Sequence, residues 1–297
     1  IFLTGSSGFV GTNLQSYLSS NFQFNHYNRA REIVVQNDIV IHLAGKAHDI
    51  KNVAQPDEYY QVNTELTKKI FDAFLLSTAR VFITLSSVKA VADVVEGVLT
   101  EEVKPNPQTH YGKSKLLAEQ YILAQTIPPG KRVYIIRPCM IHGPGNKGNL
   151  NLLYKVVSKN LPWPLAAFNN RRSFCSIDNL CFVIHELIRR EDIPSGVYNM
   201  ADDEALSTND LIGYMAESLG SQPKLLQLPT NFIRAFVRLG DWLKLPLNSE
   251  RLQKLTESYV VSNQKIKSAI GKPLPLTTKD GLMRTFRSFG HIGASDS

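Results

Sequence analysis

"LTGSSGFVGTNL", Leu3 to Leu14, closes an apolar run that begins at Ile1 and opens what reads as a helix. The glycines of this turn are Gly5, Gly8 and Gly11. A tight strand-to-helix turn of this kind lets backbone N–H groups approach a pyrophosphate, and the helix N-terminus favours its negative charge. The G-x-x-G-x-x-G spacing is one residue longer in its first gap than the common dinucleotide fingerprint. A glycine turn with a purely structural purpose looks the same locally, so the decision rests on the strand ends further along the chain.

Outward from the loop, "NDIVIHLAG", "RVFITLSS" and "RVYIIRP" are continuous apolar runs, as expected of parallel strands buried on both faces. Between them, "NTELTKKIFDAFLLS" and "YGKSKLLAEQYILAQ" carry apolar residues at three- and four-residue intervals, the helical period. This alternation predicts a doubly wound α/β fold. Ligands of such sheets sit at the carboxyl ends of the strands. Those ends carry "HLAG" (His42 to Gly45), "LSS" (Leu85 to Ser87) and "RP" (Arg137, Pro138), and "YGKSK" opens the helix after the second. After Gly145 the pattern changes to helices with a proline-rich link, "LPWPLAAF". "DNLCFVIHELIRR" and "GVYNMA" then read as a helix and a strand returning to the sheet. "STNDLIGYMAESLG" shows a capped helix start and a glycine stop. The expected division is a nucleotide domain over 1–145, with 174–201 returning to it. The substrate part is expected over 146–297, mainly 146–173 and 202–297.

At 297 residues, 43% hydrophobic and 20% charged, the composition is that of an ordinary globular protein. No apolar run approaches the ~20 residues of a membrane span, and no signal peptide is recognisable. The chain starts inside a strand without an initiator Met, so a few preceding residues are expected. Cys139, Cys175 and Cys181 match no metal spacing and read as buried free thiols of a reducing cytoplasm. The seven histidines show no ligand pattern, so no metal is expected. The net charge of +7 is spread along the chain, which disfavours nucleic acid and suits small anions such as phosphates. "FIRAFVRLGDWLKL" is amphipathic and basic, a pattern shared by membrane-surface helices and helices of a small domain, with the second favoured.

Taken in order, the glycine loop, "HLAG", "VNTELT", "SSVKA", "YGKSK", "RPCMIHGPG", "GNLNLL" and "RRSFCSIDNL" resemble the extended short-chain dehydrogenase/reductases. These form the NAD-dependent epimerase/dehydratase family acting on nucleotide sugars, and the resemblance runs from residue 1 to about Phe289. It is nearest to UDP-sugar 4-epimerases and to UDP-linked 4-keto-6-deoxy-N-acetylhexosamine 4-reductases of polysaccharide gene clusters. It implies a Rossmann-type sheet with a smaller helical substrate domain, and a cytoplasmic enzyme with NAD, or NADP, as cofactor. It also implies a UDP-sugar substrate, and a homodimer through the helices starting near Asn63 and Tyr111. The implied catalytic residues are Ser87, Tyr111 and Lys115, with Ser86 a rival to Ser87. The implied cofactor residues in the first strands and loops are Gly5, Gly8, Phe9, Val10, Gly11, Asn28 and Arg29. Leu43, Ala44, Gly45, Asn63, Tyr111, Lys115 and Pro138 complete that set. Ser87, Asn149, Leu150 and Arg172 are the implied substrate contacts, with Pro164 to Phe168 near the uracil. A dinucleotide-sensing protein of this fold would usually have lost the Tyr/Lys pair.

A free phenol, at a pKa of ~10, is a poor base at neutral pH, and lowering it to ~7 takes about 4 kcal/mol. One ammonium at ~4 Å in an effective dielectric of ~20 contributes roughly that much. Lys115, one helical turn after Tyr111, is the expected source. The chain departs from the family pattern at Ala90-Val91-Ala92, at Met140 and in "IHGPG". The stretch "NFQFNHYNRAREIVVQ" is also short for a second strand, a helix and a third strand. Either this edge is pared down or a segment of the natural chain is absent. Asn28, Arg29 and Arg31 there would tolerate a 2′-phosphate and so lean towards the reductase; family breadth leans towards the epimerase.

Overall fold

Six parallel strands form the central sheet of the computed structural model, which describes residues 1–46, 55–146, 148–243 and 249–292. In chain order the strands are β1 (Phe2–Thr4), β2 (Asn25–His26), β3 (Ile39–His42), β4 (Val81–Leu85) and β5 (Val98–Leu99). β6 (Arg132–Pro138), β7 (Met140–His142), β8 (Phe174–Ser176), β9 (Gly196–Met200) and β10 (Val260–Val261) complete the strands. The sheet runs β2-β1-β3-β4-β6-β9, while β5 pairs with β10 and β7 with β8. Thr4 is opposite His42, and His42 is opposite Thr84, so the strand ends share one edge. "GVYNM" returns to the sheet as β9 beside β6, as its apolar run predicts.

The helices are α1 (Phe9–Leu18), α2 (Pro56–Tyr59), α3 (Leu66–Leu76), α4 (His110–Leu123), α5 (Asn149–Ser158) and α6 (Ile177–Arg189). α7 (Thr208–Ser218), α8 (Thr230–Leu243), α9 (Ser249–Thr256), α10 (Gln264–Ile270) and α11 (Thr278–Ile292) complete them. Alternate strand residues point to opposite faces. Leu3, Ile41 and Ile83 therefore meet Leu14 and Leu18 of α1 and Leu180 and Ile184 of α6. Phe2, Val40 and Phe82 meet Phe71 and Phe74 of α3 and Ile122 of α4. Beyond the sheet, α5, α7 and α11 share a core around Tyr154, Met215 and Phe286. Trp163 and Leu165 pack with α7, α8 and α9 through Ile212, Ile233 and Leu252. The Ser207–Asp210 capping box opens α7 as its sequence predicts.

The common doubly wound order places one more strand outside the second. Here residues 27–38 cross from β2 to β3 as an irregular link that buries Val35 against the core.

Candidate active site

The glycine turn has no room for side chains. Gly5 lies at φ 71°, and a Cβ there would meet Ala44 N at 2.6 Å. On Gly11 a Cβ would stand 2.2 Å from Gly5 O, so any larger residue would push α1 off the loop. Gly8 is the N-cap of α1, and no side chain caps that helix. The N–H groups of the first turn, including those of Phe9, Val10 and Gly11, are therefore left for an anion. Phe9 and Val10 turn their side chains onto the core. A dinucleotide pyrophosphate fits this cradle, which a single Cβ would fill.

Leu43, Ala44 and Gly45 leave β3 beside the turn. His42, before them, is fully buried between Thr4 Oγ1 (2.7 Å) and Thr67 Oγ1 (2.9 Å). Thr67 donates to Asn63 O, so it accepts from His42 Nε2–H, and Nδ1 accepts from Thr4. Burial, and secondarily the Lys115 charge, lower the His42 pKa to about 3, which keeps the imidazole neutral. Asn63 sits in a π-helical turn, Tyr60–Glu65, between α2 and α3. The widened turn points Asn63 and Thr64 at α4 together. Asn63 Nδ2 donates to Ser114 Oγ (3.0 Å), its Oδ1 accepts from Lys46 N (2.8 Å), and Thr64 Oγ1 donates to Ser114 O (2.8 Å). Asn63 thus holds the β3 exit against α4.

Tyr111 and Lys115 stand one turn apart on α4, whose N-cap Thr109 accepts from Gly112 N. Tyr111 is half-buried, hydrogen-bonds Ser87 and meets the Tyr59 ring edge-on at 6.2 Å. Ser87 Oγ also accepts from Lys89 N at 3.2 Å, capping the turn that leaves β4. Ser86 keeps a buried hydroxyl with no partner among the described residues, a position open to a ligand at the same strand end. Lys115 Nζ donates to Leu85 O at 2.9 Å and would lie 3.0 Å from a Cβ on Gly45. Burial lowers Lys115 to about 8, opposed by Glu119. Burial holds the Tyr111 phenol above its usual value despite the Ser87 hydrogen bond. The expected fall in the phenol pKa is therefore not reached in the protein alone, because desolvation outweighs the hydrogen bond and the ammonium is engaged by Leu85. Glu119 and Arg137, both buried, form a two-point pair at 2.9 and 2.5 Å that ties α4 to β6.

Pro138 ends β6, buried, and Cys139 comes next, half-buried. Arg172 reaches this end of the sheet: burial lowers its pKa, and Glu257, Cys139 and Tyr259 oppose that. Its backbone is held by Leu206 at 2.8 and 2.9 Å. α5 begins at Asn149, and its N-cap, Gly148, offers no side-chain cap. Leu150 buries its side chain in the core with Tyr154 and Phe174, so it has only backbone N–H to give a substrate. Asn28 and Arg29 are exposed beyond β2, away from the Tyr111 group; Asn28 Oδ1 accepts from Ala30 N at 2.9 Å. Sequence reading passes over His42, Tyr59 and the Arg137–Glu119 pair. A polar residue ending the run "DIVIH" and a glutamate one turn beyond Lys115 are the available signals.

A family model described as "NAD dependent epimerase/dehydratase family" matches residues 22–201, more than half of the chain. The UDP-glucose 4-epimerase of Vibrio cholerae is 28% identical over 317 residues, covering 97% of this chain and 95% of the relative. An N-acetyl-alpha-D-glucosaminyl-diphospho-ditrans,octacis-undecaprenol 4-epimerase of Escherichia coli O157:H7 is 26% identical over 325 residues, covering 100% and 97%. Both spans exceed 297 residues, so each relative has positions that this chain lacks. The solved structure of MoeE5 with UDP-glucose and NAD matches at a TM-score of 0.75 and 18% identity, covering 100% of this chain and 99% of that one. At that identity the shared property is the fold. No helix among the described residues is long and apolar enough to cross a membrane.

Proposed function

The chain belongs to the NAD-dependent epimerase/dehydratase family, and from that premise we propose that this NAD(P)-dependent enzyme is a nucleotide-sugar 4-epimerase, acting at C4 of a UDP-sugar. The observation that carries this reading is the Ser87–Tyr111 hydrogen bond with Lys115 one turn further along α4. Gly5, Gly8, Phe9, Val10 and Gly11 would hold the cofactor with Leu43, Ala44, Gly45, Lys115 and Pro138. The bound dinucleotide supplies a hydride acceptor whose positive charge also favours the Tyr111 phenolate. Tyr111 would take the proton from the sugar O4 and hand it back to the same oxygen. Ser87 donates to the same oxygen and steadies its developing charge. Arg172 would offer a guanidinium fork to the diphosphate, and the N-terminus of α5 at Asn149 and Leu150 would offer backbone N–H groups. Incubation with UDP-N-acetylglucosamine and no added cofactor should yield the galacto epimer, and absence of conversion overturns the epimerase.

A second reading is an NADPH-dependent 4-reductase of a UDP-4-keto-6-deoxy-N-acetylhexosamine. It is favoured by the β2 edge: no acidic residue lies between Asn25 and Arg31, and Asn28 and Arg31, together with Glu32, line a cavity of about 410 Å³. Consumption of NADPH on that keto sugar, without epimerisation, would establish it. The proposal includes a homodimer through α3 and α4, a reading supported by the exposure of Leu76, Leu117 and Leu123 on those helices. A monomeric mass at micromolar concentration would exclude it.

A further inference from the structure

The chain beyond β9 reaches back to the turn that aims Ser87. That turn, Val88–Ala90, is a single 3₁₀ turn capped by Ser87 Oγ, which accepts from Lys89 N at 3.2 Å. Three residues make a weak helix on their own, so an outside contact has to hold them. Tyr259, immediately before β10, supplies it. Its side chain is 6% exposed and packs with Val88 and Val91. Its hydroxyl reaches Ala92 O at 2.7 Å and Val88 O at 3.2 Å, carbonyls at the two ends of the turn. Burial, and next the Asp93 charge, push this phenol up, so it stays a donor. Lys89 closes the other side: its Nζ lies 4.2 Å from the centre of the Tyr259 ring and donates to Asp93 O at 2.7 Å.

Both ends of this contact are tied to the candidate site. The Tyr259 backbone accepts from Ser173 N at 3.0 Å and donates to Arg171 O at 2.8 Å, on either side of Arg172. The Asp93 carboxylate accepts from Gln108 N at 2.7 Å and from Thr109 N and Oγ1, each at 3.3 Å. Thr109 is the N-cap of α4, which carries Tyr111 two residues later. The Ser87 turn is thus fixed between the backbone around Arg172 and the start of α4. We propose that Tyr259 is a positioning residue: its hydroxyl holds residues 88–92 so that Ser87 Oγ stays aimed at the Tyr111 hydroxyl and at the sugar oxygen. This deepens the assignment of Ser87 to the sugar oxygen, and rests on it. The Tyr259 ring alone would fill the core between Val88 and Val91, so the hydroxyl is the part that serves the turn.

Tyr259→Phe keeps the ring and removes the hydroxyl. It is measured on whichever sugar the wild type turns over, UDP-N-acetylglucosamine without added cofactor or the UDP-4-keto-6-deoxy sugar with NADPH. There kcat should fall about tenfold with KM for the sugar within about twofold, because a displaced group weakens the transition state more than binding. In a Ser87→Ala background the same change should alter kcat by less than about twofold, since the group it positions is gone. Hydrogen exchange at the Lys89 N–H, followed by NMR, should be about tenfold faster in Tyr259→Phe than in wild type, while the amides of β4 keep their protection. The proposal is overturned if Tyr259→Phe lowers the melting temperature with kcat unchanged, or if it lowers kcat by equal factors with and without Ser87. Equal exchange at Lys89 in the two proteins overturns it as well. Exchange does not depend on the reaction: a faster Lys89 amide in a chain that turns over neither sugar supports the hold on Ser87 and removes the C4 reading instead.

Discussion

Lys115 is held by Leu85 O at 2.9 Å, with Glu119 one turn further along pinned by Arg137 of β6. Asn28, exposed beyond β2 and away from that group, caps only its own turn, at the margin of a strand two residues long. The difference arises from burial. At the Tyr111 end polar groups are taken out of water, and each must find a partner or cost free energy. His42, Asn63, Ser114, Glu119 and Arg137 therefore lock β3, β4, β6 and α4 together. At the β2 edge the polar groups remain in water and need no partner, so the chain can shorten there without disturbing the rest. In the proposed function, the chemistry and the choice of cofactor would thus stand on ground of unequal rigidity, and changes at one end should leave the other intact.

The largest effect should come from the rigid end. Tyr111→Phe should reduce turnover on the order of a thousandfold, because only the hydroxyl can pass the proton. Cofactor affinity should hold, since the packing of the ring is kept. Turnover within about threefold of wild type would remove Tyr111 from the reaction.

Next comes the brace behind it. Glu119→Gln leaves the Arg137 guanidinium buried without a counter-charge and should cost about 3–5 kcal/mol in urea unfolding. Replacing both partners, Glu119→Leu with Arg137→Met, should recover most of that loss. A single variant as stable as wild type would show that α4 is not held through this pair.

How much of this is open to sequence reading differs between the two ends for the same reason. β3, β4 and β6 announce themselves as apolar runs, and Gly5, Gly8 and Gly11 stand where backbone must approach backbone. Ser87, Tyr111 and Lys115 can be named because their spacing matches a known pattern. The clamp around His42 cannot, since its partners Thr4 and Thr67 are far apart in the chain and carry no motif. The π-helical turn at Tyr60–Glu65 breaks the 3.6-residue period on which helix reading depends. The pairings of β5 with β10 and of β7 with β8 join two- and three-residue strands, too short to show a period. For the β2 edge, the irregular link over residues 27–38 carries no period, so no third strand could be read there.

His42 offers a third test of the rigid end, by pH. Its imidazole is neutral in the folded protein down to about pH 3, whereas the unfolded chain takes up the proton near 6.5. Stability is therefore fully present above about pH 6.5 and is lost as pH falls towards 3. By pH 5 the loss should be about 2 kcal/mol. His42→Gln, unfolded in urea at pH 7 and pH 5, should lack that part of the decline even if it is less stable throughout. An identical decline in both proteins would show that other groups cause it.

The smallest effect is expected at the open edge. Asn28→Asp keeps the oxygen that accepts from Ala30 N, so the turn survives and the melting temperature should stay within about 2 °C. The new carboxylate would repel a 2′-phosphate and accept from a 2′-hydroxyl. The ratio of NADPH to NADH affinity should fall by about tenfold, a change of about 1.4 kcal/mol, while turnover at saturating NAD should be unchanged, since nothing at the Tyr111 end has moved. An unchanged ratio would place the adenosine ribose away from Asn28. A fall in saturated turnover would break the comparison itself, by showing that the edge and the Tyr111 end are coupled through the sheet.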